Sequence, residues 1–161
     1  MTRAWISVGS NVDRDANVRL ALEKLGQRFG ELVISPIYRT SAEGFEGDDF
    51  LNLVVGIDTE LAPAELQRRL RRLEDEQGRI RGGEKFSSRT LDLDLLTWGQ
   101  TVDPRLGLPR DEILRYAFVL RPLADVAPDE RHPVDGRSYL ALWRAFEPKP
   151  AMAPVRLPPY C

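Results

Sequence analysis

Cysteine, histidine and long apolar runs are scarce in this 161-residue chain, and each shortage removes a class of function. The one cysteine, Cys161, is the last residue, so a disulfide framework and a cysteine-rich metal site are both excluded, and reducing surroundings are expected. His132 is the one histidine, which leaves a hydrolase or metal centre built on several imidazoles without its material. Followed by Pro133 in a turn-like stretch, it reads as a surface residue. No apolar run approaches the roughly 18 residues of a membrane span, and the opening MTRAWISVGSN lacks the basic-then-apolar order of a signal peptide. A soluble, cytoplasmic protein with no membrane partner is expected. An excess of charge is missing too: 23 Lys and Arg stand against 25 Asp and Glu, a net charge of −2. That balance argues against a surface built to wrap nucleic acid. Carboxylates and arginines are left to carry any chemistry, on a chain whose residues 1–161 have the size of a single domain.

Periodicity gives the order of elements. Arg3 to Gly9 reads as a short strand closed by Gly9-Ser10-Asn11. From Asp13 to Phe29, Val18, Leu22, Leu25 and Phe29 recur at four, three and four, the stripe of an amphipathic helix, with Gly30 suited to its C-terminal end. Leu32 to Ile34 and Ile37-Tyr38 suggest a second strand in which Pro36 demands an edge or a bulge. A loop over 41 to 49 leads to a strand over Phe50 to Asp58. Pro63 suits a first helical position, and Leu66, Leu70 and Leu73 then mark one face of a helix to about Gln77. Leu91 to Trp98 (LDLDLLTW) is another strand. The order β-α-β-β-α-β predicts an α/β (α+β) fold of the ferredoxin-like kind, an antiparallel sheet with helices packed on it. Ten of the twelve prolines follow residue 100, predicting an irregular C-terminal extension with one helix near Tyr139 to Phe146. The Pro-rich tail, 148–161, reads as a surface strap or a disordered end.

Asp92 and Asp94 alternate with leucines on their strand, so both carboxylates point to one face, with Cα atoms about 6.5–7 Å apart. Two close carboxylates repel unless a cation lies between them, and hard oxygen donors suit Mg²⁺ that is also held by phosphates. The plain alternative is a half-exposed strand with an acidic face, although Asp is depleted in strands. Residues 68 to 89 hold eight basic side chains against four acidic ones, a local charge of +4. Arginines grip phosphate by paired hydrogen bonds, and Gly82-Gly83 lets a basic loop fold over a polyphosphate. Any one helix arginine reads as solvated surface, whereas Arg79, Arg81 and Arg89 flank the loop and precede the acidic strand. Together these features fit phosphoryl transfer.

Residues 85 to 96, KFSSRTLDLDLL, closely resemble the signature of the 6-hydroxymethyl-7,8-dihydropterin pyrophosphokinase family of folate biosynthesis. GSN at 9 to 11, YRT at 38 to 40, FLN at 50 to 52, GRIR at 78 to 81 and the stretch from Arg105 to Pro128 agree in order and spacing. The resemblance implies transfer of the β,γ-diphosphate of ATP to the hydroxymethyl group of a reduced pterin, with AMP as the other product. It implies two Mg²⁺ ions held by Asp92 and Asp94, with Arg79 and Arg89 on the phosphates as catalytic residues. Glu74, Arg81, Arg105 and Arg110 fall on the ATP side. Thr40, Asn52, Phe50 and Phe118 fall on the pterin side, Asn52 at the ring edge and the two phenylalanines against the ring faces. Without the resemblance, Phe50 and Phe118 would read as core residues. The implied partners are two small molecules, with no nucleic acid, acting on a monomer.

Several positions depart from the family pattern. Arg110 stands where His is usual, Tyr116 where a loop Arg is usual, and Ser41-Ala42-Glu43 where an apolar, Pro-rich segment is common. Arg71 replaces a Gln, Gly82 a basic residue and Phe86 a Trp. Arg115 lies one position from the missing guanidinium. These changes define a second reading, a divergent paralogue that acts on a modified pterin or binds without efficient transfer. A third, an RNA-binding ferredoxin-like module using the arginine-rich helix, meets an acidic strand hostile to a phosphate backbone.

Overall fold

The computed structural model describes residues 1–41, 48–78 and 90–157. Five elements follow the predicted order closely: β1 (Thr2–Ser10), α1 (Arg14–Phe29), β4 (Phe50–Thr59), α2 (Pro63–Glu76) and β5 (Asp92–Trp98). The predicted second strand is two short ones, β2 (Val33–Ile34) and β3 (Ile37–Thr40), both paired with β4. Pro36 has no N–H to give a ladder, so the strand breaks there. Ser35 repairs the break, its N–H donating to Val54 O at 2.9 Å and its Oγ accepting from Val54 N at 2.8 Å.

With a last strand, β6 (Ala153–Val155), the sheet runs β5-β1-β4-β3-β6, all antiparallel, with β2 also on β4. This is the ferredoxin-like arrangement. On one face Ala4, Ile6 and Val8 of β1, Leu51, Leu53 and Val55 of β4, and Leu93 and Leu95 of β5 meet the apolar stripes of α1 and α2 in the main core. Val18, Leu22 and Leu25, and Leu66, Leu70 and Leu73, are the buried helix positions, as the spacing of three and four requires. The opposite face carries a second core in which Trp5, Val54 and Leu96 lie under two further helices. Leu95 and Leu96 point to opposite faces by ordinary strand alternation, and both are buried because both faces are covered there. The β1–β5 register shifts between Ile6 and Trp5, giving β5 one extra residue at Leu96.

The C-terminal third is more regular than its prolines suggest. It contains α3 (Glu112–Arg115), α4 (Ala117–Val126) and α5 (Tyr139–Ala145), with a 3₁₀ turn at Pro104–Leu106. Only α5 was expected. Pro122 sits inside α4, tolerated because the helix is held by burial of Val119, Leu120 and Leu123 rather than by propensity. The tail is a strap: Ala153–Val155 forms β6 on the edge of β3, with Met152 and Leu157 buried on either side of it.

His132 is not a surface residue. It is 3% exposed, and its Nδ1 accepts from the N–H of Val134 (3.2 Å) and Asp135 (3.0 Å), which closes the turn at Pro133. The ring meets Tyr139 edge-on at 6.4 Å between centroids. Burial pushes its pKa below the usual histidine value, against the opposing pull of Asp135. The unfolded chain therefore binds this proton more readily, and stability must fall as pH drops from about 6.5 towards the folded-state value. Asp58, Glu65 and Glu76, held low by hydrogen bonds from arginines, titrate below that window. Urea midpoints should drop between pH 7.5 and 5.5 in the parent, and the drop should shrink in His132→Asn, whose side-chain oxygen can still accept from the turn. An equal drop in both proteins would assign it elsewhere. A second check concerns Gly56, where a Cβ would lie 2.5–2.9 Å from three atoms of the Trp5 ring. Gly56→Ala should cost about 1–3 kcal/mol by denaturant unfolding, from overpacking.

Candidate active site

The sheet face opposite α1 and α2 is covered at one end by α4 and α5. Its other end carries the chemistry-bearing residues. Because Leu93 and Leu95 are committed to the main core, Asp92 and Asp94 face the other way, and both are half-buried. Register sets their neighbours: Asp92 lies opposite Gly9, Asp94 opposite Ser7, and Gly9 in turn opposite Asn52 of β4. Asn52 lies opposite Tyr38, and Phe50 opposite Thr40. One row thus runs Tyr38, Asn52, Gly9, Asp92 across four strands. Two inter-strand steps place the Cα atoms of Asn52 and Asp92 about 10 Å apart.

Gly9 is required in that row, since a Cβ there would come within 2.8 Å of Asn52 Oδ1. The Asn52 carboxamide is buried, and its Nδ2 donates to Thr40 Oγ1 at 2.7 Å. Oδ1 and a second N–H are left as one acceptor and one donor, the pair that reads a heterocycle edge. Asn11 Nδ2 donates to Asp48 O and Arg14 Nη1 to Asp49 O, both at 3.1 Å, tying the approach to β4 onto the end of β1 and the start of α1.

The helical cap supplies an aromatic wall. Phe118, in the first turn of α4, packs with Tyr38, Ala117 and Met152, which puts it beside the cross-strand neighbour of Asn52. Tyr116 stacks on Phe118 at 5.0 Å and 18°. Arg121 lies 4.7 Å from the centroid of the Tyr38 ring and 5.7 Å from that of Trp143, bracing the wall from behind. The Tyr38 hydroxyl donates to Asp125; burial and that carboxylate push its pKa up to about 12, so it stays protonated. The sequence reading missed Tyr38 in this role, because a strand tyrosine carries no signal of what will pack on it.

Among the described residues, Arg110 brings a cation beside Asp94. Its Nη2 lies 3.6 Å from Asp94 Oδ1 and 2.7 Å from Glu112 Oε1, and its own N–H donates to Leu96 O at 2.9 Å. Burial works against its charge, but Asp94 and Glu112 outweigh it and raise the pKa above the usual arginine value. Glu112 had no sequence signal; only the fold brings it to the site. Arg115, a candidate for the guanidinium that Tyr116 lacks, instead pairs with Asp111 at 3.2 Å and stacks on Tyr116 at 5.4 Å. Arg105 is exposed on the 3₁₀ turn, which Gln67 of α2 holds through Leu106 O at 2.8 Å. Glu74, expected near the nucleotide, is fully buried, and its Oε2 accepts from the Leu93 N–H at 2.8 Å. Arg79, Arg81 and Arg89 lie outside the described residues.

The donor set fits Mg²⁺: two carboxylates on one open face, with solvent access for phosphates to complete the shell. Among the described residues no group of three or more His, Cys, Asp or Glu side chains is gathered to hold a metal alone. No helix among the described residues is long and apolar enough to cross a membrane.

A ferredoxin-like sheet with paired carboxylates on the part of its face that α4 and α5 leave open, and a donor–acceptor amide one strand beyond a glycine, fits a phosphoryl-transfer enzyme. The family model for 7,8-dihydro-6-hydroxymethylpterin-pyrophosphokinase (HPPK) matches residues 5–128, and the chain belongs to that family. The 2-amino-4-hydroxy-6-hydroxymethyldihydropteridine pyrophosphokinase of Pseudomonas aeruginosa is 41% identical over 142 residues, covering 84% of this chain and 86% of its own length. The enzyme of the same name from Methylorubrum extorquens is 41% identical over 135 residues, 80% of this chain and 85% of the relative. Among solved structures, a Plasmodium falciparum HPPK-DHPS shares the fold at a TM-score of 0.69 and 13% identity, over 89% of this chain. This chain spans 41% of that longer polypeptide.

Proposed function

We propose that this chain transfers the β,γ-diphosphate of ATP to 6-hydroxymethyl-7,8-dihydropterin at the Asp92 and Asp94 face. The new bond joins the hydroxymethyl oxygen to the β-phosphorus. The bond to the α–β bridging oxygen breaks, that oxygen leaves with AMP, and the hydroxyl proton passes to solvent. The observation that carries the proposal is the single row in which Asn52 and Asp92 flank Gly9. A planar heterocycle held at the amide would then have its substituent within reach of the carboxylates along the sheet face.

Asn52 would hydrogen-bond the pterin edge with the donor and acceptor that Thr40 leaves available, while Phe50 and Phe118 give the ring apolar, polarisable faces. Asp92 and Asp94 would hold two Mg²⁺ ions together with the phosphate oxygens. Bound there, Mg²⁺ neutralises phosphate charge and acidifies a coordinated hydroxyl. Arg110, anchored by Glu112, would offer its guanidinium to the transferring phosphates from beside Asp94. This keeps a fixed cation at the site although Tyr116 is committed to Phe118. Arg79, Arg81 and Arg89 are assigned to the phosphates and nucleotide on the strength of the GRIR and RTLDLD motifs, and Arg105 on that of the stretch from Arg105 to Pro128. Such a reaction needs positioning and charge stabilisation more than a protein base.

Incubation with ATP, Mg²⁺ and the pterin should yield AMP and pterin diphosphate in equal amounts; tight binding of both ligands with no AMP released would overturn the proposal. Asp92→Ala and Asp94→Ala should each lower kcat by about 10²–10³-fold with circular dichroism unchanged, the size expected when a main electrostatic stabiliser is lost. Gly9→Ala should displace the Asn52 amide and weaken pterin binding about tenfold, or about 1.4 kcal/mol, in calorimetric titration. ATP affinity should hold, and an unchanged pterin affinity would remove Asn52 from recognition.

A further inference from the structure

Glu74 is an anomaly on α2. The outer surface of that helix is crowded with arginines, yet this carboxylate is 0% exposed, one residue past Leu73 in the apolar stripe that meets the main core. Burying a carboxylate costs several kcal/mol unless hydrogen bonds and charges compensate it, so a structure that keeps one there implies a task for it. Its Oε2 accepts the Leu93 N–H at 2.8 Å, and its Oε1 lies 3.8 Å from Arg71 Nη1.

The location of that amide gives the task. Among the described residues β5 is the edge of the sheet, paired with β1 and with no other strand. Alternate amides of an edge strand point away from the partner with no ladder to hold them. Leu93 is such a residue, and it stands between Asp92 and Asp94. Its N–H belongs to the peptide unit that joins Asp92 to Leu93, so fixing it fixes the backbone on the C-terminal side of Asp92 and the N-terminal side of Leu93. β1 holds the strand from one side through Ser7, Val8 and Gly9. Glu74 holds it from the other.

We infer that Glu74 is a positioning residue that sets the spacing and direction of the Asp92 and Asp94 carboxylates by accepting the edge-strand amide between them. This rests on the reading of Asp92 and Asp94 as the metal-holding pair. Glu74 acts through the strand and not by touching the nucleotide. An outer-shell carboxylate of this kind typically governs metal affinity by a factor of ten to a hundred. What matters is an oxygen acceptor at that point, so glutamine should serve in place of glutamate far better than an apolar residue of similar size.

The test compares Glu74→Gln and Glu74→Leu with the parent in two measurements. The first is hydrogen exchange of the Leu93 amide, which needs neither metal nor activity. It should be slow in the parent, remain slow in Glu74→Gln and speed up at least about tenfold in Glu74→Leu, as expected when one protecting bond is lost. The second is the Mn²⁺ concentration that half-saturates the complex with a non-hydrolysable ATP analogue, read by electron paramagnetic resonance. It should rise about tenfold or more in Glu74→Leu and recover most of the way in Glu74→Gln. Fast Leu93 exchange in the parent would overturn the inference without recourse to any variant, which covers the case in which Glu74→Leu does not fold. So would a Glu74→Gln protein as impaired as Glu74→Leu, or a Glu74→Leu protein that loses metal-free affinity for the analogue while keeping its Mn²⁺ response. If Asp92→Ala and Asp94→Ala leave Mn²⁺ binding intact, the metal reading itself has failed; the exchange result then stands apart as a fact about the strand.

Discussion

The registration of three antiparallel strands around Gly9 is the constraint on which the site depends, because it is what places Asn52 and Asp92 in one row on one face. Strand side chains alternate, so a slip of one residue in either pairing would turn Asp92 and Asp94, or Asn52, into the main core. The leucines of β5 and the odd-numbered apolar residues of β4 oppose that slip, since their burial is what a shifted strand would lose. Hydrophobic burial on one face of the sheet therefore fixes polar geometry on the other. The glycine adds a local condition: the Asn52 amide occupies the space that any side chain at position 9 would fill.

Charge at the site follows from the same scaffold. A pair of carboxylates cannot be left alone at the edge of a core, and the protein answers with Arg110, drawn in by Asp94 and Glu112. Strand alternation brings Leu96 to the second core, and its carbonyl accepts the Arg110 backbone N–H. The strand that carries the aspartates thus also helps to seat the cation beside Asp94. On the other side of the row, an aromatic wall is assembled from α4, α5 and the start of β3, with Arg121 packed between two rings.

The sequence disclosed the parts of this molecule in which one residue decides one local outcome. Strand alternation in LDLDLL, the three-and-four spacing of α1 and α2, Pro63 at a helix start and Gly30 at a helix end are all local, and all appear in the fold. α4 was not legible, because Pro122 argues against a helix that tertiary burial nonetheless imposes. His132 was misread for a similar reason: a histidine before a proline has the composition of a surface turn, whereas here the imidazole is the acceptor that closes that turn inside the protein. Motif and resemblance single out Asp92, Asp94, Asn52 and Phe118, and the fold brings them to one side of the sheet. Glu112 and Tyr38 were not, since their contacts join segments far apart in the chain.

The C-terminal strand has an architectural consequence. Between Met152, packed with Tyr38 and Ala117, and Leu157, packed in the main core, β6 stitches the helical lobe to the rim of the sheet. Swinging that lobe outward would mean peeling a strand from β3 and pulling two anchors from separate apolar pockets. The aromatic wall is accordingly braced on the sheet from both ends of one short strand, and displacing it would cost burial in two separate apolar clusters at once.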